Sequence, residues 1–409
     1  MNYTDTLDWM FNQLPFYQKQ GAVAFKPGLD RIKGFCQRLG NPQDQLDIIH
    51  VGGTNGKGST AHFIASVLQE AGYRVGLYTS PHLVDFRERI KINGVYIDKE
   101  TVVAFIAKYK NYIRTEKLSF FEITLALSLQ YFNEQAVDYA LIEVGMGGRL
   151  DATNIVTPLV SVITNIGLDH THFLGDNHAS IAEEKAGIIK PNTPVIIGED
   201  RPDTRPVFDS HSKEKKAPIY YVSASKRTPD IGVSVPSYQQ INMQTAYTAL
   251  NRLPELNLTP SIIRKGFLKV QTNTELKGRW QTLNTEPKVI VDVGHNKEGF
   301  FHLKKNLSLE SYKRLHIVIG FVQDKPISTL LEMLPSEAHY YFCAPKLFRA
   351  FPVNKIKALL SSNILFYNCF ESVESAYLSA IEKATTKDLI VVTGSTFVVG
   401  EVIENLQAV

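Results

Sequence analysis

The stretch Val51-Gly52-Gly53-Thr54-Asn55-Gly56-Lys57-Gly58-Ser59-Thr60 constrains this chain more than any other. It follows a short apolar strand pattern, Leu46 to Val51, and enters a helical one through Ala61, Ile64, Ala65 and Leu68. A glycine-rich turn between strand and helix leaves backbone N–H groups unpaired at the positive end of the helix dipole, where anions bind. Lys57 adds a point charge for the outer phosphates of a nucleotide. The common phosphate loop ends Gly-Lys-Ser/Thr, and its hydroxyl ligates Mg²⁺. Here Gly58 follows Lys57, so a metal-binding hydroxyl has to come from elsewhere in the chain. A glycine-rich turn with a surface lysine is the competing reading, and the flanking strand and helix weigh against it.

A chain of 409 residues predicts two or three domains. A net charge of +3 is too small to imply a polyanion, so no nucleic-acid partner is expected. Cys36, Cys343 and Cys369 are scattered without zinc or disulfide spacing, which favours a reducing cytoplasm. Met1 to Asp8 is polar and lacks a signal-peptide core, and no uncharged apolar run is long enough for a bilayer, so no membrane partner is expected.

Strand and helix patterns alternate along most of the chain, which predicts an α/β protein with a mostly parallel sheet. Asn93-Gly94 suits a type I′ hairpin turn within Arg87 to Ile97. The polar, proline-dotted stretch Asp200 to Pro236 reads as short strands and loops. The expected division is a phosphate-loop ATPase domain over 1–280, a linker over 281–287 and a smaller Rossmann-like α/β domain over 288–409.

Several strand ends carry polar groups, where open α/β sheets place ligands. Ser80, in Thr79-Ser80-Pro81-His82, can supply the hydroxyl that Gly58 denies the loop; taken alone, the segment reads better as a plain Ser-Pro turn. Glu143 ends an apolar strand just before Gly145-Met146-Gly147-Gly148-Arg149-Leu150-Asp151, a good position for an oxygen ligand to Mg²⁺. In Asp169-His170-Thr171-His172 two histidines are one residue apart, but no third soft ligand has zinc spacing. One histidine as a Mg²⁺ ligand suits better, with His172 structural. Glu183-Glu184-Lys185 reads as a solvated helix face by base rate. Asp292-Val293-Gly294-His295-Asn296 and Thr393-Gly394-Ser395 repeat the strand-end pattern, with Asn296 equally a helix cap.

Together these stretches resemble the folylpolyglutamate synthase and dihydrofolate synthase family, a branch of the Mur ligases. Gly53-Thr54-Asn55-Gly56-Lys57-Gly58-Ser59 carries most of the likeness, because other Mur ligases usually have a hydroxyl residue where Gly58 stands. Thr79-Ser80-Pro81-His82, Phe121-Glu122, Gly147 to Asp151, Leu168-Asp169-His170, Lys185-Ala186-Gly187-Ile188, Gly278-Arg279, Asp324-Lys325 and Thr393-Gly394-Ser395 support it.

The resemblance implies that ATP phosphorylates a carboxylate of dihydropteroate or of a folate's terminal glutamate. The amine of L-glutamate then attacks the acyl phosphate. It further implies that Gly53, Thr54, Asn55, Gly56, Lys57, Gly58 and Ser59 cradle the phosphates, with Asn242, Arg279 and Asp292 completing the nucleotide site. Ser80, Glu143 and His170 are the implied Mg²⁺ ligands, and Lys185 matches a lysine that is carbamylated in the family. Asp30, Arg31, Phe121, Arg149 and Asp151 are the implied pterin surroundings, with His295 and Ser395 near the incoming glutamate. Lys57, Lys185, His170 and His295 form the implied catalytic set, in a monomer acting on small molecules. The family's Asp-Gly-Ala-His-Asn stands here as Asp292-Val293-Gly294-His295-Asn296, and Pro326 replaces the last residue of an Asp-Lys-Asp. Two alternatives remain at this point: a Mur-type ligase acting on a peptidoglycan precursor, and a nucleotide-driven switch without ligase chemistry. Crowding of a close phosphate approach at Gly58 is also expected, making Gly58→Ser poorly tolerated.

Overall fold

The computed structural model describes residues 1–14, 28–222, 228–254, 256–323, 325–360, 364 and 366–407. The chain forms two compact units: Met1–His82 with Arg87–Leu276, and Leu83–Phe86 with the chain from Lys277 onward.

In the first unit, β1 (Ile48–Gly52), β2 (Val75–Tyr78), β3 (Ile90–Ile92), β4 (Val95–Tyr96), β5 (Tyr139–Glu143), β6 (Val160–Ile163), β7 (Val195–Ile197) and β8 (Ile219–Tyr221) form one sheet. Their order is β4-β3-β2-β5-β1-β6-β7-β8. The pairings are parallel except β2 with β3 and β3 with β4, where the chain turns back through the hairpin. Asn93 and Gly94 take φ values of 47° and 79°, the two left-handed residues that a type I′ turn demands. Every residue of β1 is buried, as a central strand covered on both faces must be.

The helices of this unit are α1 (Tyr3–Gln13), α2 (Asp30–Arg38), α3 (Lys57–Glu70), α4 (Lys99–Thr115), α5 (Phe120–Glu134), α6 (Thr171–Leu174), α7 (His178–Ala186), α8 (Arg205–Lys215), α9 (Ser237–Leu250), α10 (Pro260–Leu268) and α11 (Val270–Thr274). Ser119 caps α5 and Glu122 closes the capping box. From Ser59 to Leu68, α3 is buried on all sides, because it packs on the sheet, α9 and α10. At the α3–α10 crossing a Cβ on Gly266 would lie 2.5 Å from Val67 Cα, and Ser66 Oγ donates to the Gly266 carbonyl at 2.6 Å.

The second unit has strands β9 (Gln281–Thr285), β10 (Lys288–Val291), β11 (Leu315–Ile319), β12 (His339–Cys343), β13 (Phe366–Phe370) and β14 (Leu389–Thr393), in the order β13-β12-β11-β14-β10-β9. All pairings are parallel except β9 with β10. Helices α12 (Lys297–Leu307), α13 (Ile327–Glu332), α14 (Val353–Ile356), α15 (Val373–Lys383) and α16 (Thr396–Gln407) accompany this sheet, whose two faces carry separate apolar cores around Phe321 and Tyr341.

Two expectations differ from what is observed. The 281–287 stretch read as a linker holds the edge strand β9; its alternating exposure hides the strand, since only one neighbour pairs with it. Within Asp200 to Pro236, Arg205–Lys215 is helical: Pro206 suits the first turn, and Phe208 and Ser212, four apart, bury one face. Asp324, part of one motif, lies outside the described residues.

Gly266→Ala is expected to force α3 and α10 apart and to cost about 1–3 kcal/mol of stability, the usual penalty of overpacking. Urea unfolding measures it, and an unchanged midpoint would show that this crossing relaxes freely.

Candidate active site

The loop between β1 and α3 is held by the strand beside it. Thr54 N donates to Asn165 O at 3.0 Å, Asn55 N to Asn165 Oδ1 at 2.8 Å, and Thr164 Oγ1 to Asn55 O at 2.6 Å. Asn165, at the end of β6, was not singled out in the sequence, although it shares the polar strand-end signal of Glu143. Gly53 has φ 135°, and a Cβ there would meet Thr164 Oγ1 at 1.9 Å; Gly56 has φ 81°, and a Cβ would meet Asn242 Oδ1 at 2.2 Å. Both positions therefore require glycine. Asn242, buried on α9 and bonded to Gln239, lies directly against the turn.

Gly56 occupies the N-cap of α3 without a side-chain hydrogen bond, so the helix is not capped there by its own residue. Three residues on, the hydroxyl of Ser59 is buried with no partner among the described residues. An orphaned hydroxyl at a helix N-terminus fits a site that a phosphate or its cation completes.

Lys57 Nζ donates to Gly53 O at 3.1 Å and to Thr54 O at 3.0 Å. Lys185 Nζ donates to the same Gly53 oxygen at 2.9 Å. Lys185 is only 3% exposed, which overturns its reading as part of a solvated face; Glu183 beside it is the exposed one. Burial first, and then the Lys57 charge, push the Lys185 amine down to about 7, with Asp169 and Asp151 opposing.

Glu143, at the end of β5, accepts from Ser80 N at 2.9 Å. A Cβ on Gly58 would lie 3.5 Å from Glu143 Oε2, an ordinary contact, so the carboxylate stands beside the start of α3. The helix start, the carboxylate and the Ser80 loop thus meet at one place, with oxygen donors suited to a hard cation. His170 caps α6 in the left-handed region at φ 52°, its N–H on Asp169 Oδ1 at 2.9 Å; His172 is exposed. Among the described residues no cluster of three or more His, Cys, Asp or Glu could hold a metal.

The residues after Glu143 turn back on themselves. A Cβ on Gly145 would strike the Phe121 ring at 2.6 Å, so the half-buried ring rests on that loop, 5.9 Å from the Tyr78 ring centroid. Asp151 accepts from Met146 N, Thr153 N and Thr153 Oγ1. Arg149 pairs with Glu184 at 2.7 Å with its side chain about half exposed, and Arg31 Nε donates to Glu122 at 3.1 Å. Asp30 is exposed in the first turn of α2.

The remaining predicted residues belong to the second unit. Asp292 accepts from Trp280 N and Gly294 N, both at 2.9 Å, which binds the Arg279 turn to the end of β10. Arg279 Nη1 donates to Gly278 O at 3.2 Å. His295 Nδ1 lies 2.9 Å from Val293 O; a carbonyl only accepts, so Nδ1 carries the proton. Asn296 accepts from Gly299 N as the cap of α12. Ser395 is buried, its hydroxyl accepting from Phe397 N, and the turn before it is tied by Gly394 N to Gly294 O at 3.1 Å.

Two family models divide the chain as the sheets do: the Mur ligase middle domain matches residues 51–284 and the Mur ligase glutamate ligase domain matches 278–396. The fold and phosphate loop are therefore those of a Mur-type ligase. Dihydrofolate synthase/folylpolyglutamate synthase of Bacillus subtilis is 31% identical over 440 residues, covering 99% of each chain. Escherichia coli FolC in complex with DHPP and ADP superposes with a TM-score of 0.88 at 31% identity, covering 100% of this chain and 98% of that one. A bifunctional folylpolyglutamate synthase/dihydrofolate synthase with Mn, AMPPNP and L-glutamate bound gives a TM-score of 0.86 at 31% identity, with the same coverage. The chain belongs to the dihydrofolate synthase/folylpolyglutamate synthase family. This sets aside the peptidoglycan-precursor alternative. Among the described residues no helix is long and apolar enough to cross a membrane.

Lys185 loses its proton at about 7 in the folded chain against an ordinary 10.5. Between those values the unfolded chain binds the extra proton, so native stability rises as pH climbs from 7 towards 10.5. Lys185→Met is expected to flatten that rise and to stabilise more near pH 7 than near pH 10. Urea midpoints at both pH values in CO₂-free buffer measure it, and equal shifts at both would refute the assignment.

Proposed function

We propose that this protein is an ATP-dependent ligase that joins L-glutamate to dihydropteroate and to reduced folates, through an acyl phosphate, in the cytoplasm and as a monomer. The observation that carries the reading is the convergence of Lys57, Lys185 and the start of α3 on a single loop beside the Glu143 carboxylate. Relatives that bind ADP with DHPP, or AMPPNP with Mn and L-glutamate, support ATP and a divalent cation as its ligands.

The chemistry follows from the groups present. A carboxylate is a poor acylating agent until one of its oxygens carries a phosphoryl group. Its oxygen takes the terminal phosphoryl of ATP, ADP leaves, the glutamate amine attacks the acyl carbon, and phosphate departs as the amine loses a proton. Phosphoryl transfer chiefly needs positioning and neutralised charge. Gly53, Thr54, Asn55, Gly56, Gly58 and Ser59 line the phosphates, and Lys57 neutralises them. Asn242 contacts the base, with Arg279 and Asp292 completing nucleotide binding. Ser80, Glu143 and His170 hold Mg²⁺, which supplies Lewis-acid stabilisation of the phosphate oxygens when bound. Phe121 faces the pteridine ring, with Asp30, Arg31, Arg149 and Asp151 around it. His295 and Ser395 serve the incoming glutamate.

A neutral Lys185 amine at ordinary pH is the form that reacts with CO₂, so its depressed proton affinity favours carbamylation. The carbamate, formed as the neutral amine attacks CO₂ and loses one proton, places an anionic oxygen acceptor beside the Lys57 amine.

Steady-state assays with dihydropteroate and tetrahydrofolate side by side are expected to show glutamate-dependent ADP release with both, and silence with every pteridine acceptor would sink the proposal. Lys185→Ala is expected to lose most activity while keeping its fold. Carbon-13 NMR in labelled bicarbonate is expected to show a carbamate signal in the wild type that the variant lacks; its absence from the wild type removes carbamylation from the scheme.

A further inference from the structure

His50 stands at the middle of β1, fully buried, with Ile142 of β5 and Ser161 of β6 as its register partners. A central parallel strand ordinarily fills such a position with Val or Ile. The imidazole Nε2 lies 2.8 Å from Thr153 Oγ1, and Nδ1 has no hydrogen-bond partner among the described residues. An orphaned buried polar atom costs about 1–3 kcal/mol, so packing alone does not account for a histidine here. Burial, followed by the nearby Lys190, pushes the imidazole down to about 3, and it is neutral at ordinary pH.

The direction of the bond follows from the next link. Thr153 Oγ1 donates to Asp151 Oδ1 at 2.5 Å, and Thr153 N donates to the same oxygen at 2.9 Å. Met146 N donates to Asp151 Oδ2 at 2.9 Å. Burial raises the proton affinity of the Asp151 carboxyl, and the donors converging on it oppose that shift and serve its ionised form. The hydroxyl proton is then committed to Asp151, so the Thr153 oxygen accepts from His50 Nε2–H and Nδ1 keeps the bare lone pair.

A chain of donors therefore runs from the core of the sheet to the loop that follows Glu143. That loop carries the Phe121 ring at Gly145, and a Cβ on Gly148 would lie 3.0 Å from Lys185 Cα. We infer that His50 is a positioning residue for the acceptor substrate, acting through Thr153 and Asp151 on the loop from Gly145 to Arg149. The inference rests on the folate-ligase reading, in which Phe121 and Asp151 border the pteridine. His50 itself touches neither substrate nor nucleotide; it aligns the carboxylate that shapes the acceptor pocket.

The test is a comparison of KM values with the tetrahydrofolate acceptor and with ATP. His50→Leu removes the donor and the orphaned Nδ1, so Tm is expected at or above the wild-type value. KM for the acceptor is expected to rise about tenfold while KM for ATP stays within about twofold, the split of a lost binding alignment. His50→Gln places an amide N–H where Nε2 stands and is expected to restore the acceptor KM. Thr153→Val, which keeps His50 and deletes the bridging hydroxyl, is expected to reproduce the His50→Leu shift and decides the matter if that variant does not fold. An unchanged acceptor KM in Thr153→Val or in folded His50→Leu, a parallel rise in both KM values, or failure of the Gln variant to restore it would overturn the inference. A wild-type protein inactive with every pteridine acceptor would instead remove the functional reading beneath it.

Discussion

Two lysine amines share the carbonyl oxygen of Gly53, and much of the first unit is arranged around that contact. The oxygen can face both because Gly53 adopts a backbone conformation closed to other residues, pressed against Thr164. Burial is the larger cause that lowers the proton affinity of Lys185, and the Lys57 charge on the same dipole adds to it. Its reactive, neutral amine is thus chiefly a consequence of that burial. Lys57 also donates to a second carbonyl, that of Thr54.

The missing hydroxyl at Gly58 belongs to the same arrangement. The Glu143 carboxylate lies beside Gly58 at the start of α3, and the Ser80 backbone N reaches that carboxylate from the strand beyond. Parallel strands β1, β5 and β2 end at the same edge of the sheet, so three residues distant in sequence arrive together. A donor set divided among strand ends is held by the sheet rather than by any one loop.

The fold was legible wherever hydrophobic period and capping chemistry agreed. Phe120–Glu134 carries its own start signal, since Ser119 and Glu122 box its first turn. Asn93-Gly94 could be read because its turn type has few alternatives. The edge strands β9 and β13 were not legible, since they are half-exposed and carry little apolar periodicity. The helix Arg205–Lys215 was hidden by Pro206, which marks a helix start as readily as a loop. In the site, the phosphate loop, Glu143 and Ser80 announced themselves by strand-end position. His50 and Thr153 did not, because a polar residue inside a buried strand or in a loop beyond it acquires meaning only from what lies across the sheet.

By itself, then, the sequence determined the phosphate loop, the alternation that makes two parallel sheets, and the residue types available for phosphoryl and acyl transfer. These are local properties, set by backbone freedom, periodicity and side-chain chemistry. Tertiary structure alone decided that Lys185 is buried, that its amine shares an oxygen with Lys57, and that the charged helix face lies on the other side. Proton affinity depends on solvent and neighbouring charge, and those come from residues more than a hundred positions away, such as Lys57 beside Lys185.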